Sequence, residues 1–405
     1  MGKRLNIDYA AIQVCYWCCY LIAGNYISVY MLGKGYPNTT IGIVAAVGNI
    51  VSLILQAMIS SFVDNRENVS VFTVINMLLA VLFAGVCGIL AIGVNCFVLT
   101  VIYVGYISIH STLQPFINAV PGKLAAGKYA VYYGPARAVS SLLVGVVSVI
   151  LGVAIAEFGV DAIPVQAMIT IPVMEIFLIR LRMNYKKSLS EVHVNKEPSS
   201  VRSKKEDTIS TAEFIKRNKL FLGVCAGYVT VWFMTVIKEN YTLQIIREIG
   251  GDVEQLGIVT LLVGACETPA MIFFGWFKRK FKYSFLLKMS VTFNAVKMLA
   301  MTFAPNMFVI YMIQPLQILG LGLIIPTMVY MIEDIMDKRE AVRGQSIATM
   351  GWAIGLVLGS VFGGIILDAM GVKSLMFITS AITVAGTVMM YIFANKLQNK
   401  IDMKG

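Results

Sequence analysis

Apolar residues run along the chain in blocks of roughly twenty, separated by short polar breaks, and roughly twenty residues of helix span a hydrocarbon core of about 30 Å. Lipid offers no partner to a bare backbone N–H or C=O, so each block must be a helix or a strand of a closed barrel. Barrel strands read as about ten residues of alternating polarity. These blocks are longer and uniformly apolar. The pattern predicts an all-α membrane protein with twelve transmembrane helices, over 9–32, 40–63, 71–94, 96–120, 130–156 and 161–182, then 220–246, 255–277, 284–304, 306–332, 343–367 and 374–395. The first block, from Ala10 to Leu32, is too long for a signal-peptide core and has no clear small-residue cleavage site before the next span, so it reads as a membrane helix.

Between spans six and seven lies the longest polar stretch, about Tyr185 to Arg217, with Lys186-Lys187, Pro198-Ser199-Ser200 and Lys204-Lys205-Glu206-Asp207. It reads as a solvated linker. The expected organisation is an N-terminal six-helix bundle over 1–184, a cytoplasmic linker over 185–218 and a C-terminal six-helix bundle over 219–405. The halves share a repeat at an offset of 215 residues: Asn25-Tyr26, Gly35 and Gly42-Ile43-Val44 match Asn240-Tyr241, Gly250 and Gly257-Ile258-Val259. Two parallel repeats related by an axis along the membrane normal are one of the standard transporter plans.

Composition supports a membrane solvent. The 405 residues are 58% hydrophobic and 14% charged, against about 45–50% and 25% in a soluble domain. A net charge of +11 points to nucleic acid in a soluble protein, but here the basic residues belong to loops. Of 33 Lys and Arg, Lys34, Arg247 and Lys373 fall outside and Arg137, Lys238 and Lys297 fall deep within spans; the other 27 lie on cytoplasmic segments or at the cytoplasmic ends of spans if the N-terminus is cytoplasmic. The positive-inside rule then puts both termini in the cytoplasm of a multi-pass protein of a bacterial inner membrane. No nucleic-acid partner is expected.

The seven cysteines lie in or beside apolar blocks, and Cys15-x-x-Cys18 has no second ligand cluster, so neither a metal nor a disulfide is implied. HExxH, GxSxG and P-loop motifs are missing, and His110 and His193 are the two histidines. No enzyme and no cofactor are expected.

Polar groups in lipid-crossing helices cost free energy and need a reason. Lys238 and Glu239 lie in span seven, Glu267 in span eight, Lys297 in span nine and Arg137 in span five. They read either as structural ion pairs, such as Glu267 with Lys297, or as a desolvated carboxylate that carries a proton. Adjacent Lys238 and Glu239 are about 100° apart on their helix and cannot both face a cavity squarely. Gln314 and Gln317 are three apart and share a face. With Asn25, Asn118, Asn240 and other amides they suit a site that hydrogen-bonds a polyhydroxylated solute. Trp17, Tyr26, Tyr133, Trp232 and Trp352 offer rings that stack on a sugar or base, though each also serves as packing.

Several motifs point to a family. Tyr133-Gly134-Pro135-Ala136-Arg137 resembles the FG/YG-x-x-R motif of the oligosaccharide–proton and nucleoside–proton symporters of the major facilitator superfamily, the lactose permease group. Arg343-Gly344-Gln345, followed by Gly351, Gly355, Gly359, Gly363-Gly364, Asp368 and Gly371, resembles their span-eleven signature, and Glu267-Thr268-Pro269 their E-x-P motif. The resemblance implies the major facilitator fold of two pseudo-symmetric six-helix bundles, a monomer in the lipid bilayer, and proton-coupled uptake of a small polar solute by alternating access. By position, Arg137 takes the place of the sugar-binding arginine and Lys297 that of the arginine beside the proton carboxylate. Asn118 replaces the span-four carboxylate. Gln314, Gln317 and Gly320 replace the Lys, His and Glu of span ten. The span-eight carboxylate falls near Gly264, one turn from Glu267.

The substrate-binding candidates are therefore Arg137, Asn118, Asn25, Tyr26, Asn240, Gln314, Gln317 and Trp232. The proton-coupling candidates are Glu267, Lys297, Glu239 and Lys238. Asp64 and Arg66, the remnant of the superfamily's loop 2–3 motif, are expected to steady the cytoplasmic side. The alternative is a major facilitator efflux antiporter for drugs or metabolites. The Gly-Pro motif of drug antiporters is missing from Gly145 to Gly152, which counts against it.

Overall fold

The computed structural model describes residues 2–64, 70–124, 129–190, 211–336 and 338–402. Among these the protein is helical throughout. In order the helices are α1 (Gly2–Ala23), α2 (Ile27–Gly33), α3 (Asn38–Asp64), α4 (Val71–Ile92), α5 (Phe97–Leu124), α6 (Tyr133–Phe158), α7 (Ala162–Ser190), α8 (Thr211–Arg217), α9 (Lys219–Arg247), α10 (Val253–Ile272), α11 (Phe274–Lys280), α12 (Tyr283–Thr302), α13 (Met307–Met312), α14 (Leu316–Leu319), α15 (Leu321–Ile335) and α16 (Lys338–Asp402). Each predicted span falls on one of these helices or on a bent series of them. The 65 residues of α16 far exceed one membrane crossing, and Gly371 (φ 76°, ψ 179°) breaks its helical path between the last two predicted spans.

Three spans read as continuous are broken between helices, and a fourth, span seven, is kinked at Tyr241 within α9. Span one bends by 41° between α1 and α2, and span eight by 49° between α10 and α11. Span ten is interrupted before Leu316 and again at Gly320 (φ −85°, ψ −106°). Hydropathy averaged over a span is blind to such breaks, because one polar residue such as Asn25 or Gln314 barely changes the mean. Neighbouring side chains satisfy the carbonyls that a break frees: Tyr103 Oη donates to Ile22 O at 2.6 Å at the break in span one, and Tyr106 Oη to Cys19 O at 2.8 Å one turn before it.

The chain forms two compact units. The first comprises Met1–His193 with Glu239–Ala265 and Ser360–Ala369; the second comprises Val194–Lys238, Cys266–Gly359 and Met370–Gly405. In the first unit α1 packs on α6 and α7, while α3 and α4 pack on α5. In the second, Phe221, Val224 and Val231 of α9 meet Leu287 and Val291 of α12, Ile324 and Met328 of α15, and Met390 of α16.

The 215-residue repeat is carried in the backbone as well as in the letters. Tyr26 (φ −110°, ψ 8°) and its counterpart Tyr241 (φ −121°, ψ 16°) both depart from helical geometry. Gly35 (φ 82°) and Gly250 (φ 83°) end the two segments. Tyr36 N donates to Met31 O at 3.0 Å and Gly251 N to Ile246 O at 2.8 Å, while the two glycine N–H groups bond back to Leu32 and Arg247. Each is a Schellman turn, which needs a left-handed residue and so favours glycine.

The repeats also meet inside the first unit. Tyr26 Oη donates to Ser148 O at 2.8 Å, and Tyr241 Oη to Ser360 O at 2.6 Å. A Cβ on Gly257 would stand 2.6 Å from Ser148 O, and one on Gly42 would collide with Ser360 O. Each serine carbonyl thus takes a tyrosine from its own half and faces a bare glycine from the other. Asp368 adds an external cap: it accepts the backbone N–H groups of Asn38 (3.1 Å) and Thr39 (2.7 Å) and the Asn38 side chain (2.8 Å). These orphan donors at the start of α3 carry the positive end of the helix dipole. Gln244 Nε2 donates to Asn38 Oδ1 at 2.8 Å and joins the same knot.

Candidate functional site

The second unit holds the central cluster. Lys297 on α12 is 2% exposed, and an ammonium in that setting needs an acceptor. Its Nζ donates to Gln317 Oε1 at 2.5 Å. The other end of the same amide, Gln317 Nε2, donates to Glu267 Oε1 at 2.6 Å. Gln317 therefore stands between the carboxylate and the ammonium. Sequence reasoning anticipated an ion pair or a carrier here, but not the amide bridge. A lysine ammonium only donates and an ionised carboxylate only accepts, so the amide has one orientation that satisfies both.

The breaks in span ten explain why Gln317 is free for this role and Gln314 is not. Gln317 sits in the one-turn helix α14. Gln314 precedes it, outside regular helix, and its Nε2 turns back to Ile310 O at 2.7 Å. The shared face expected from their spacing is lost with the helix. Asn294, one turn from Lys297, is 1% exposed, and neither end of its amide is hydrogen-bonded. A buried polar group in that condition calls for an explanation. Lys238 is buried and is a charge neighbour of Lys297. Trp232 meets Trp352 edge to face with ring centroids 5.8 Å apart, and Tyr228 at 5.9 Å.

The first unit holds a second cluster. The Arg137 guanidinium lies over the Trp17 ring, 4.0 Å from its centroid. Its Nη1 donates to Ser141 Oγ at 2.5 Å and to Ser140 Oγ at 3.4 Å. No carboxylate among the described residues pairs with it. A half-buried guanidinium held by a ring and hydroxyls keeps its charge available to a ligand. Trp17 packs on Tyr20 with centroids 5.4 Å apart, and Tyr20 Oη donates to Glu239 Oε2 at 2.9 Å. His110 stacks on Tyr16 at 4.4 Å. Gln13 Nε2 reaches Tyr9 Oη at 2.7 Å and Asn118 Oδ1 at 3.2 Å.

Other expected site residues lie elsewhere in the first unit. Tyr26 is fully buried and bonded to Ser148. Asn240 Nδ2 donates to Ser360 Oγ at 3.1 Å. Both join helices where the repeats meet. Asn25 is half-buried in the break of span one. Asp64 ends α3, and Arg66 lies outside the described residues. Tyr20, Ser141 and Gln13 had escaped the sequence reading. A tyrosine, a serine and a glutamine in apolar helices carry no spacing signal, and only the fold brings Tyr20 to Glu239, Ser141 to Arg137 and Gln13 to Asn118.

Apolar helices long enough to cross a membrane, with charged side chains buried among them, are features that a polytopic carrier requires. The chain belongs to the MFS_1-like family, whose description matches residues 9–379, and it is a secondary transporter of the major facilitator type, not an enzyme. A crystal structure of the nucleoside transporter NupG is similar over 97% of this chain and 99% of that one, at 11% identity and a TM-score of 0.74. The peptide transporter POT is similar over 98% and 93%, at 11% identity and 0.72. A POT family transporter in complex with 5-aminolevulinic acid follows at 10% and 0.69, over 98% and 96%. No curated protein sequence matches. At these identities the likeness concerns the fold.

Proposed function

We propose that the protein is a proton-coupled symporter that takes up a small polar organic solute of the sugar, oligosaccharide or nucleoside class across a bacterial inner membrane by alternating access. The observation that carries this reading is the Gln317 bridge between Glu267 and Lys297. A proton arriving at Glu267 removes the charge that the amide serves. The amide's bond to the now neutral carboxyl weakens, and the Lys297 ammonium loses its balancing charge. One titrating carboxylate thereby couples protonation to the packing of spans eight, nine and ten. One proton moving down 100 mV releases about 2.3 kcal/mol, which sustains a solute ratio of roughly fiftyfold.

In this reading Arg137 on Trp17 binds the solute, with Asn118 and Asn25 contributing from the same unit. Glu239, held by Tyr20, is a second charge on the route. The six-helix halves, 1–184 and 219–405, rock about the site as a monomer, joined by the linker 185–218. In this reading, with both termini cytoplasmic, the Asp368 knot and the serine–glycine contacts serve as the outer closure. The nucleoside class is the first to test, since the structural neighbour NupG is a nucleoside transporter.

The experiment is uptake of radiolabelled nucleosides and sugars into vesicles with an alkaline interior. Accumulation that a protonophore abolishes is expected. Accumulation indifferent to the pH gradient contradicts the proposal.

A further inference from the structure

Beside the transport machinery, a cavity of about 280 Å³ opens between α4 and α7 in the first unit, lined by Asn76, Leu178, Ile179, Arg182, Met183 and Lys186. Its walls combine two chemistries. Ile179 (47%) and Met183 (55%) are exposed apolar side chains, as expected of a surface wetted by acyl chains. Arg182 and Lys186, one turn apart, put two cations at its mouth near the end of α7.

The neighbouring polar side chains are already engaged. Arg180 Nη2 pairs with Asp8 Oδ1 at 3.1 Å, and Asn184 Nδ2 donates to Asp8 Oδ2 at 2.9 Å. Arg182 and Lys186 make no hydrogen bond or ion pair with any described residue. On their helix the nearest preceding carboxylate is Glu175, seven residues away, or about 10 Å along the axis. Asn76 adds a buried Oδ1 with no partner. Unpaired cations above an apolar, outward-facing cleft at the charge-rich end of the bundle match the headgroup and upper acyl chain of an anionic lipid.

We propose that this cleft is a binding site for an anionic phospholipid of the adjoining leaflet. Arg182 and Lys186 hold the phosphodiester, Leu178, Ile179 and Met183 line the acyl chain, and the lipid clamps α4 to α7. The proposal does not depend on the solute or on proton coupling.

The test uses the full chain in neutral detergent, titrated with phosphatidylglycerol, with bound lipid counted by native mass spectrometry and stability followed by thermal melting. The wild type retains phosphatidylglycerol in preference to phosphatidylcholine and melts higher with it. The double variant Arg182→Gln, Lys186→Gln binds roughly thirtyfold more weakly and loses that shift. A control double variant, Arg279→Gln, Lys280→Gln, at another basic surface keeps both. If the first variant fails to fold, the charge-keeping pair Arg182→Lys, Lys186→Arg replaces it and retains the lipid. Equal losses in the two glutamine pairs mean diffuse electrostatics and overturn the proposal. So does inorganic phosphate that reproduces the stabilisation at the same concentration, which would make this a free-anion site.

Discussion

Glu267 accepts the side-chain amide of Gln317 at 2.6 Å, and that amide is the one whose oxygen holds the buried Lys297 at 2.5 Å. The two charges are joined through a neutral group with a definite orientation. Such a link transmits the protonation of one end to the other, because a neutral carboxyl accepts the amide N–H more weakly and no longer balances the ammonium at the far end.

The bridge makes Gln317 worth more than a surface amide. In Gln317→Leu a buried ammonium and a carboxylate lose their partner at once, and each unsatisfied group costs about 1–3 kcal/mol or more. Thermal melting of the purified protein should fall by several degrees. Adding Lys297→Met to that variant should recover part of the loss, since the stranded charge is gone. Strictly additive losses would show that the two side chains do not depend on each other.

Asp368 caps α3 from outside its own helix through three donors on Asn38 and Thr39. Removing a cap of this kind costs about 0.5–2 kcal/mol. Asp368→Asn keeps the shape but weakens the charge-assisted bonds, so the closure should open more often. In a background cleared of native cysteines, Ser360→Cys should react slowly with an impermeant maleimide added outside, and several times faster once Asp368→Asn is added. An unchanged rate would remove Asp368 from the closure.

A side chain at position 257 is incompatible with the closed arrangement. The first carbon would sit 2.6 Å from Ser148 O and 2.8 Å from Val149 Cα, against backbone that cannot swing aside. Gly257→Val should therefore hold the segments apart, abolish accumulation and raise the labelling of Ser360→Cys. Normal uptake by Gly257→Val would mean that the close approach is dispensable.

Arg137 stacks its planar guanidinium on Trp17 while reaching Ser141. Lysine keeps the charge but has neither the plane nor the fork. Arg137→Lys should raise the half-saturation concentration for the solute at least tenfold. Trp17→Leu should raise it less, in line with the roughly 0.5–2 kcal/mol of a cation–π contact. Unaltered half-saturation in both variants would place the solute elsewhere.

Much of this molecule could be read from the chain because lipid leaves few choices. Apolar blocks had to become helices, and most did so within a few residues of their expected ends, while α1, α7 and α16 run seven or eight residues further. Charge at membrane depth marked Glu267, Lys297 and Arg137. The offset that pairs Tyr26 with Tyr241 and Gly42 with Gly257 announced the repeat. What stayed hidden were the breaks near Tyr26, Phe273 and Gly320, since backbone bends there leave hydropathy unchanged. With the break in span ten went the correct roles of Gln314 and Gln317. Tyr20 and Ser141 were hidden for a different reason: an uncharged hydroxyl acquires meaning only from the neighbour that the fold supplies.

The most direct test of the coupling is the Glu267→Gln variant in vesicles, assayed for both gradient-driven accumulation and solute exchange at equal pH. The account predicts that accumulation is lost while exchange persists, because glutamine keeps the hydrogen bond to Gln317 but cannot titrate. Accumulation at the wild-type level in Glu267→Gln would contradict it.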